Sequence, residues 1–155
     1  MAYYSLAAVV GGAGAGACLR WWLGTRLNPI FPAIPLGTLA ANLLGGYLVG
    51  VAVAYFSRHA SLPPEARLFV ITGFMGGLTT FSTFSTEVLT LLTRGEFHWA
   101  AVATSTHLFG SFAMTALGIL SVRLVTSRSM AWSQLNRGFW PPSVTARLAM
   151  RAASA

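Results

Sequence analysis

The sequence predicts an all-α membrane protein with four transmembrane helices. Of the 155 residues, 55% are hydrophobic and only 8% are charged, whereas an ordinary soluble domain carries about 25% charged residues. Crossing the hydrocarbon of a bilayer takes about 20 apolar residues. Four stretches meet that length, and the short connections between them make consecutive helices antiparallel. The stretches are 3–23, 34–56, 68–92 and 99–125.

The charge pattern is typical of contact with lipid and not with nucleic acid. The net charge is +7, and all ten basic residues are arginines. Arginines at the ends of membrane spans act as topology signals and headgroup anchors. Outside the last thirty residues, three arginines fall on each side of the predicted membrane, and this tie favours insertion in both orientations. One side has Arg20, Arg26 and Arg94, and the other has Arg58, Arg67 and Arg123.

Small residues recur along the first stretch. Ala8, Gly12, Gly16 and Arg20 follow one another at intervals of four, a spacing that lets helix backbones approach closely. Two interpretations of Arg20 are open. It is either an anchor whose guanidinium snorkels to the headgroups, or part of a positive collar at the mouth of an anion pathway.

The second stretch contains one strongly polar residue, Asn42. Gly46 and Gly50 follow at intervals of four, so the three share a helical face. An unpaired amide in hydrocarbon costs roughly 2–7 kcal/mol, so Asn42 needs partners. It is either a hydrogen-bonding link between helices or an amide whose N–H donors face a permeating anion.

The third stretch contains the motif GFMGGLTTFSTFSTE, residues 73–87. Each interior glycine costs a helix roughly 1 kcal/mol relative to alanine, and a run of hydroxyl residues follows. Non-helical backbone at membrane depth is tolerated only where it is buried in protein or lines a watery cavity. The motif therefore predicts a broken third helix built around a polar pathway, with Glu87 as its one carboxylate.

The fourth stretch has a polar stripe formed by His107, Ser111 and Thr115. An ionisable residue within a membrane span is a functional candidate, although a hydrogen bond between helices would also explain a single histidine. The stripe has no acid in reach to orient the histidine, so no enzyme is predicted. We predict a four-helix transmembrane domain at 1–125 and a basic tail at 126–155, either disordered or with a short helix at 144–153.

Four segments resemble the CrcB, or Fluc, fluoride channel family. They are GAGAGACLRWW (12–22), GTLAANLLG (37–45), GFMGGLTTFSTFSTE (73–87) and GSFAMTALG (110–118). The resemblance covers about residues 3–123. It implies a dual-topology, antiparallel homodimer with two pores in the bacterial inner membrane. Such channels let fluoride leave the cytoplasm passively, which lowers its toxicity, and hold a central sodium ion.

The resemblance also implies roles for particular residues. Arg20 matches the vestibule arginine, and the backbone carbonyls of Gly76 and Thr79 would hold the sodium. Relatives often have Asn or Ser where this chain has His107, which leaves its role as a fluoride ligand open. The residues matching the fluoride pore are Asn42, Phe81, Phe84, Ser82, Thr83, Ser111 and His107.

A second class of function is also compatible with the sequence. A small dual-topology, proton-coupled exporter needs a protonatable carboxylate at its substrate site. Glu87 is the only candidate for that carboxylate, with or without His107. Loss of transport on Glu87→Gln, together with dependence on a proton gradient, would favour the exporter.

Overall fold

The computed structural model describes residues 2–31 and 33–139, with side chains up to Ser127, and these residues form helices and short connections. The third apolar stretch is made of several consecutive helical segments. The helices are α1 (Ala2–Leu27), a 3-10 turn (Asn28–Ile30), α2 (Leu36–Phe56), α3 (Pro64–Arg67), a π-helical segment (Leu68–Met75), α4 (Gly76–Leu78), α5 (Phe81–Thr93) and α6 (Phe97–Phe139).

Four helical spans are long and apolar enough to cross a membrane, as the sequence predicts. They are Ala2–Ile30, Leu36–Phe56, Pro64–Thr93 and Phe97–Ser127. At most 28% of the most apolar window of any span is buried inside the chain, so most of their apolar surface faces outward. Such a surface suits lipid, because lipid tails are as apolar as leucine.

Helix α1 packs backbone to backbone against the π-helical segment and α4. A Cβ on Gly16 would collide with the carbonyl oxygen of Phe74 and would lie 2.7 Å from the backbone nitrogen of Leu78. A Cβ on Gly73 would lie 3.0 Å from Cα of Gly12. The predicted close approach of small residues on α1 is thus confirmed. The wider π-helical turns were not predicted, and such turns occur frequently at functional sites.

Helices α2 and α6 also meet through glycines. A Cβ on Gly46 would lie 3.1 Å from the carbonyl oxygen of Ser111, and one on Gly118 would lie 2.9 Å from the backbone nitrogen of Val51. The Thr115 hydroxyl donates a hydrogen bond to the carbonyl of Gly46 at 3.1 Å. This contact brings the polar stripe of α6 against the polar face of α2.

Helix α5 ends in a tight turn that leads back to α6. Gly95 has a positive φ of 76°, and the Glu96 N–H donates to the carbonyl of Leu91 at 2.9 Å, as in a Schellman cap. Leu91 then packs in a small buried cluster with Ile34, Ala100 and Ala103. The turn and the cluster position the start of α6 beside α5.

The chain divides into two compact units, with the division between Leu120 and Ser121. Every predicted site residue belongs to the first unit. Of the second unit, the described residues include only the end of α6, which continues to Phe139. The predicted division into 1–125 and 126–155 stays a prediction, and the short helix predicted at 144–153 lies outside the described residues.

Candidate functional site

Two residues with extended backbone separate α4 from α5. Thr79 has φ −81° and ψ 154°, and Thr80 has φ −149° and ψ 117°; we refer to them as the extended pair. Thr80 is also the N-cap of α5, because its Oγ1 accepts the N–H of Thr83 at 3.2 Å. Such a cap satisfies one of the free N–H groups at a helix start. The backbone N–H and carbonyl of Thr80 itself need partners from elsewhere in the chain.

Asn42 on α2 supplies both of those partners. Its Oδ1 accepts the N–H of Thr80 at 2.8 Å, and its Nδ2 donates to the carbonyl of Thr80 at 3.1 Å. The side-chain amide therefore pairs with the Thr80 backbone as a neighbouring strand would. This double contact also fixes which way the Asn42 amide points, because the Thr80 N–H requires an oxygen and the Thr80 carbonyl requires a donor.

His107 on α6 completes the network. Its Nδ1 lies 3.1 Å from Asn42 Nδ2, and its side chain is only 5% exposed. Its ring lies against that of Phe84, with the centroids 4.6 Å apart and the planes at 31°. Residues 42, 80 and 107 are far apart in the sequence, and the network thus joins α2, the extended pair and α6.

A cavity of about 580 Å³ adjoins this network. Phe81 and Phe84 both line it, with ring centroids 5.6 Å apart. Ser111 and Thr115 of the polar stripe line it from α6. Its described lining has no charged side chain and comprises Asn42, Gly46, Val49, Thr79, Thr80, Phe81, Phe84, Thr104, His107, Leu108, Ser111, Phe112 and Thr115. An environment of neutral donors and aromatic rings can accept an ion without holding it through a salt bridge.

A smaller cavity of about 370 Å³ lies on the α1 side of the extended pair. Arg20, Thr38 and Thr83 are among its lining residues. The Thr83 hydroxyl accepts a hydrogen bond from Thr80 Oγ1 at 2.9 Å, so Thr80 connects the linings of the two cavities. Ser82 is exposed and lines neither cavity. The predicted hydroxyl track therefore divides, with Thr83 on the side of Arg20.

Arg20 forms a specific contact with the third span. Its Nε donates to the carbonyl of Gly77 at 3.0 Å, next to the end of α4. A cation is favourable at the C-terminal end of a helical segment, where carbonyls lack helical partners. Arg20 therefore braces the segment before the extended pair, a contact that neither interpretation of the sequence included. Arg20 also lines the smaller cavity.

Glu87 has a hydroxyl partner on α2. The Thr38 hydroxyl donates to Glu87 Oε1 at 2.6 Å, and Thr38 is 4% exposed. Glu87 does not line the larger cavity with Phe81 and Phe84. Thr38 precedes Asn42 by one helical turn, so the same face of α2 contacts α5 at two levels. The pairing of Thr38 with Glu87 was not predicted from the sequence.

Comparisons with known proteins identify the family. A family model described as "CrcB-like protein, Camphor Resistance (CrcB)" matches residues 7–119. A protein of Nitrosospira multiformis named "Fluoride-specific ion channel FluC" is 61% identical over 123 residues, which are 79% of this chain and 96% of that protein. A protein of Burkholderia lata with the same name is 60% identical over 121 residues, 78% of this chain and 94% of that protein.

The chain belongs to the CrcB family. The predicted resemblance is therefore confirmed, and with it the expectation that the protein is a channel-family member and not an enzyme. With four membrane spans and these relatives, it is a multi-pass integral protein of the bacterial inner membrane.

Within this CrcB-family chain, the predicted pore and vestibule residues divide between the two cavities, except that Ser82 lines neither. Asn42, Phe81, Phe84, His107 and Ser111 adjoin the larger cavity. Sequence reasoning missed Thr80, whose backbone and hydroxyl connect both sides. Its place directly before Phe81, at the start of a helix, is the N-cap signal that could have identified it.

Proposed function

We propose that this CrcB-family chain is a fluoride-selective channel that exports fluoride passively from the cytoplasm. The observation that carries the proposal is the larger cavity, where Phe81, Phe84, His107 and Ser111 converge without a charged side chain. Relatives of about 60% identity are named fluoride-specific ion channels. Passive export would lower the toxicity of fluoride in the cell.

The residue types of the cavity suit a small, strongly hydrated anion. Hydroxyl and imidazole groups are neutral donors that can replace water. The edge of an aromatic ring is the positive part of its quadrupole, so Phe81 and Phe84 can attract fluoride with ring edges. Conduction requires several sites that are each weak enough for the ion to leave. A fixed charge in the cavity would either repel the anion or hold it too tightly for it to leave.

The open side of the cavity supports a homodimer. Phe81 is 80% exposed and Phe112 is 65% exposed, and both line the cavity. A single chain would turn polar donors such as Ser111 and the extended pair toward lipid, where backbone irregularity is not tolerated. A second copy would cover them. The balanced arginines favour an antiparallel, dual-topology dimer with one pore per chain, and the extended pair would be the break in each third membrane helix.

The backbone at the extended pair fits a sodium ion. In an unbroken helix, the carbonyls of Gly76 and Thr79 would accept the N–H groups of Thr80 and Thr83. Here the Thr80 N–H donates to Asn42, and the Thr83 N–H donates to Thr80 Oγ1. Gly76 is exposed, and apart from its own helix and chain neighbours no atom lies within 4 Å of its Cβ position. Both carbonyls are thus released for a hard cation, which prefers oxygen ligands. Sodium would add positive charge between the two chains.

The experiment that tests the function is fluoride efflux from liposomes containing the purified protein. Efflux is expected with no proton or sodium gradient, while chloride loaded in the same way is retained. Efflux that requires either gradient, or a chloride rate equal to the fluoride rate, would contradict passive fluoride-selective conduction.

A Glu87→Gln variant separates the channel from the proton-coupled exporter. The glutamine carbonyl can still accept the hydrogen bond that Thr38 now gives to Glu87 Oε1, so the contact between α2 and α5 survives. We expect fluoride efflux within about threefold of wild type, because Glu87 does not line the larger cavity and the glutamine keeps the contact with Thr38. An exporter would lose transport altogether, since glutamine cannot carry a proton.

A further inference from the structure

A third cavity, of about 430 Å³, opens where the second membrane span ends and the third begins. Helix α2 ends at Phe56 and the third span starts at Pro64, so this cavity lies at the membrane surface, and we call it the interface cavity. Its volume falls in the range of about 300–1,000 Å³ that is usual for small-molecule sites. Its lining comprises Phe56, His59, Ala60, Leu62, Pro64, Arg67, Leu68, Ile71 and Thr72.

The lining of the interface cavity changes from charged to apolar along the third span. Arg67 is the last residue of α3 and has an exposed side chain. Leu68 and Ile71 follow in the π-helical segment, which continues into the span. A phospholipid has the same order, with a charged headgroup at the surface and acyl chains below it.

The charge of the lining favours an anionic headgroup. The described lining has one guanidinium, that of Arg67, and no carboxylate, since Glu65 lies outside it. A guanidinium stays charged and can hold a phosphate through two parallel hydrogen bonds. An ammonium headgroup would find no carboxylate partner here. Basic pockets between membrane helices bind the head groups of anionic lipids in this way.

His59 forms a fixed wall of the same cavity. Its ring stacks on that of Tyr55, with centroids 4.2 Å apart and planes at 24°. Its Nδ1 lies 2.9 Å from the carbonyl oxygen of Tyr55, and because a carbonyl can only accept, Nδ1 carries the hydrogen. In a neutral ring, Nε2 is then an acceptor, which suits the hydroxyl groups of a glycerol headgroup.

We propose that the interface cavity binds one anionic phospholipid, with Arg67 on its phosphate and the start of one acyl chain against Leu68 and Ile71. The inference concerns the lipid around the chain and does not depend on fluoride conduction. Such a site differs from the general attraction of arginines to headgroups, because it needs the cavity walls as well as the charge. Arg58 is exposed on the same connection and does not line the cavity, so it provides only the general attraction.

Native mass spectrometry of the full-length protein in detergent tests the proposal. The protein is titrated with phosphatidylglycerol or with phosphatidylethanolamine of the same acyl chains. We expect the first phosphatidylglycerol on each chain to bind about tenfold more tightly, as one added charge-assisted hydrogen bond predicts. Equal affinities for the two lipids, or no bound lipid, would overturn the proposal.

Two arginine variants separate the site from the general attraction. Arg67→Gln is expected to weaken phosphatidylglycerol binding about tenfold, because glutamine cannot hold the phosphate as an ion pair. Arg58→Gln removes the same charge from the same connection and is expected to change the affinity less than about threefold, as is usual for exposed charges. An equal loss in the two variants would show that the surface charge alone attracts the lipid, and would overturn the site.

A variant that keeps every charge tests whether the lipid occupies the cavity itself. Ala60→Trp places an indole in the lining and is expected to remove the tight binding of phosphatidylglycerol. Ser61→Trp is the control, since Ser61 is exposed and lies outside the lining. Size-exclusion chromatography checks that both variants are folded. Unchanged binding in Ala60→Trp would overturn the location.

A soluble headgroup distinguishes a phospholipid from free phosphate as the occupant. Glycerol 3-phosphate carries the phosphate and the glycerol without acyl chains. We expect it to leave phosphatidylglycerol bound when both are present at equal concentration, because it gains nothing from the apolar wall at Leu68 and Ile71. Displacement at equal concentration would show a site for soluble phosphates and would overturn the phospholipid.

Discussion

Asn42→Asp is expected to abolish fluoride flux, with a fall of at least about 100-fold, while the protein remains folded and assembled. The change removes the two N–H donors that now bind the Thr80 carbonyl and His107 Nδ1. The Thr80 carbonyl is then left without its donor, which costs about 1–3 kcal/mol and is expected to distort the site; a barrier to the ion raised by about 2.8 kcal/mol lowers the rate about 100-fold. The new carboxylate also repels an anion in the cavity.

Fluoride efflux from liposomes measures this effect, and size-exclusion chromatography checks assembly. Asn28→Asp is the control for the added carboxylate, since it makes the same chemical change in the lining of the smaller cavity that includes Arg20. Asn28 uses only its oxygen, which accepts the N–H of Gly37 at 2.8 Å, and a carboxylate keeps that acceptor. We expect less than a tenfold loss in the control. A well-folded Asn42→Asp protein with normal efflux would show that the Asn42 network is dispensable for conduction.

Gly16→Ala is expected to prevent stable folding, with a loss of about 3 kcal/mol or more. The new methyl group would collide with the Phe74 carbonyl oxygen and lie 2.7 Å from the backbone nitrogen of Leu78. Overpacking of this kind costs typically 1–3 kcal/mol and occasionally more, and here both obstacles are backbone atoms that cannot rotate away. Separation of α1 from α4 would also disturb the contact from Arg20 to Gly77.

The yield of monodisperse protein in detergent and the temperature of unfolding measure the change. Gly14→Ala is the matched control on the same helix, because nothing lies within 4 Å of its Cβ position. Alanine is a better helix former than glycine by roughly 1 kcal/mol, so this variant should be as stable as wild type or slightly more stable. Equal yields and equal unfolding temperatures for the two variants would contradict the close packing at Gly16.

The membrane architecture was predictable because it depends on local properties of the sequence. The length and apolarity of four stretches were enough to predict the four spans. The intervals of four from Gly12 to Gly16 and from Gly46 to Gly50 predicted close contacts, since residues at that spacing share a helical face. The glycines and hydroxyl residues of 73–87 drew attention to the segment where Thr79 and Thr80 are extended.

The hydrogen bonds of the site were not predictable, because they depend on which faces meet in three dimensions. Asn42 could equally have donated to an ion or to another helix, and only the approach of Thr80 and His107 distinguishes these. Arg20 was expected at a membrane surface or at a pathway mouth, and neither expectation included the carbonyl of Gly77. The π-helical turns of Leu68–Met75 pack closely against α1, and the apolar sequence there gave no signal that distinguishes them from an ordinary helix.

The most direct test of fluoride conduction is the reversal potential of the purified protein in a planar bilayer. The two sides have equal pH and equal sodium, with a tenfold difference in fluoride concentration balanced by a large impermeant anion. A passive fluoride channel predicts current that reverses close to the equilibrium potential of fluoride and does not change when chloride replaces the impermeant anion. A reversal potential that follows an imposed pH difference, or that moves toward zero when chloride is supplied on the low-fluoride side, would contradict the account.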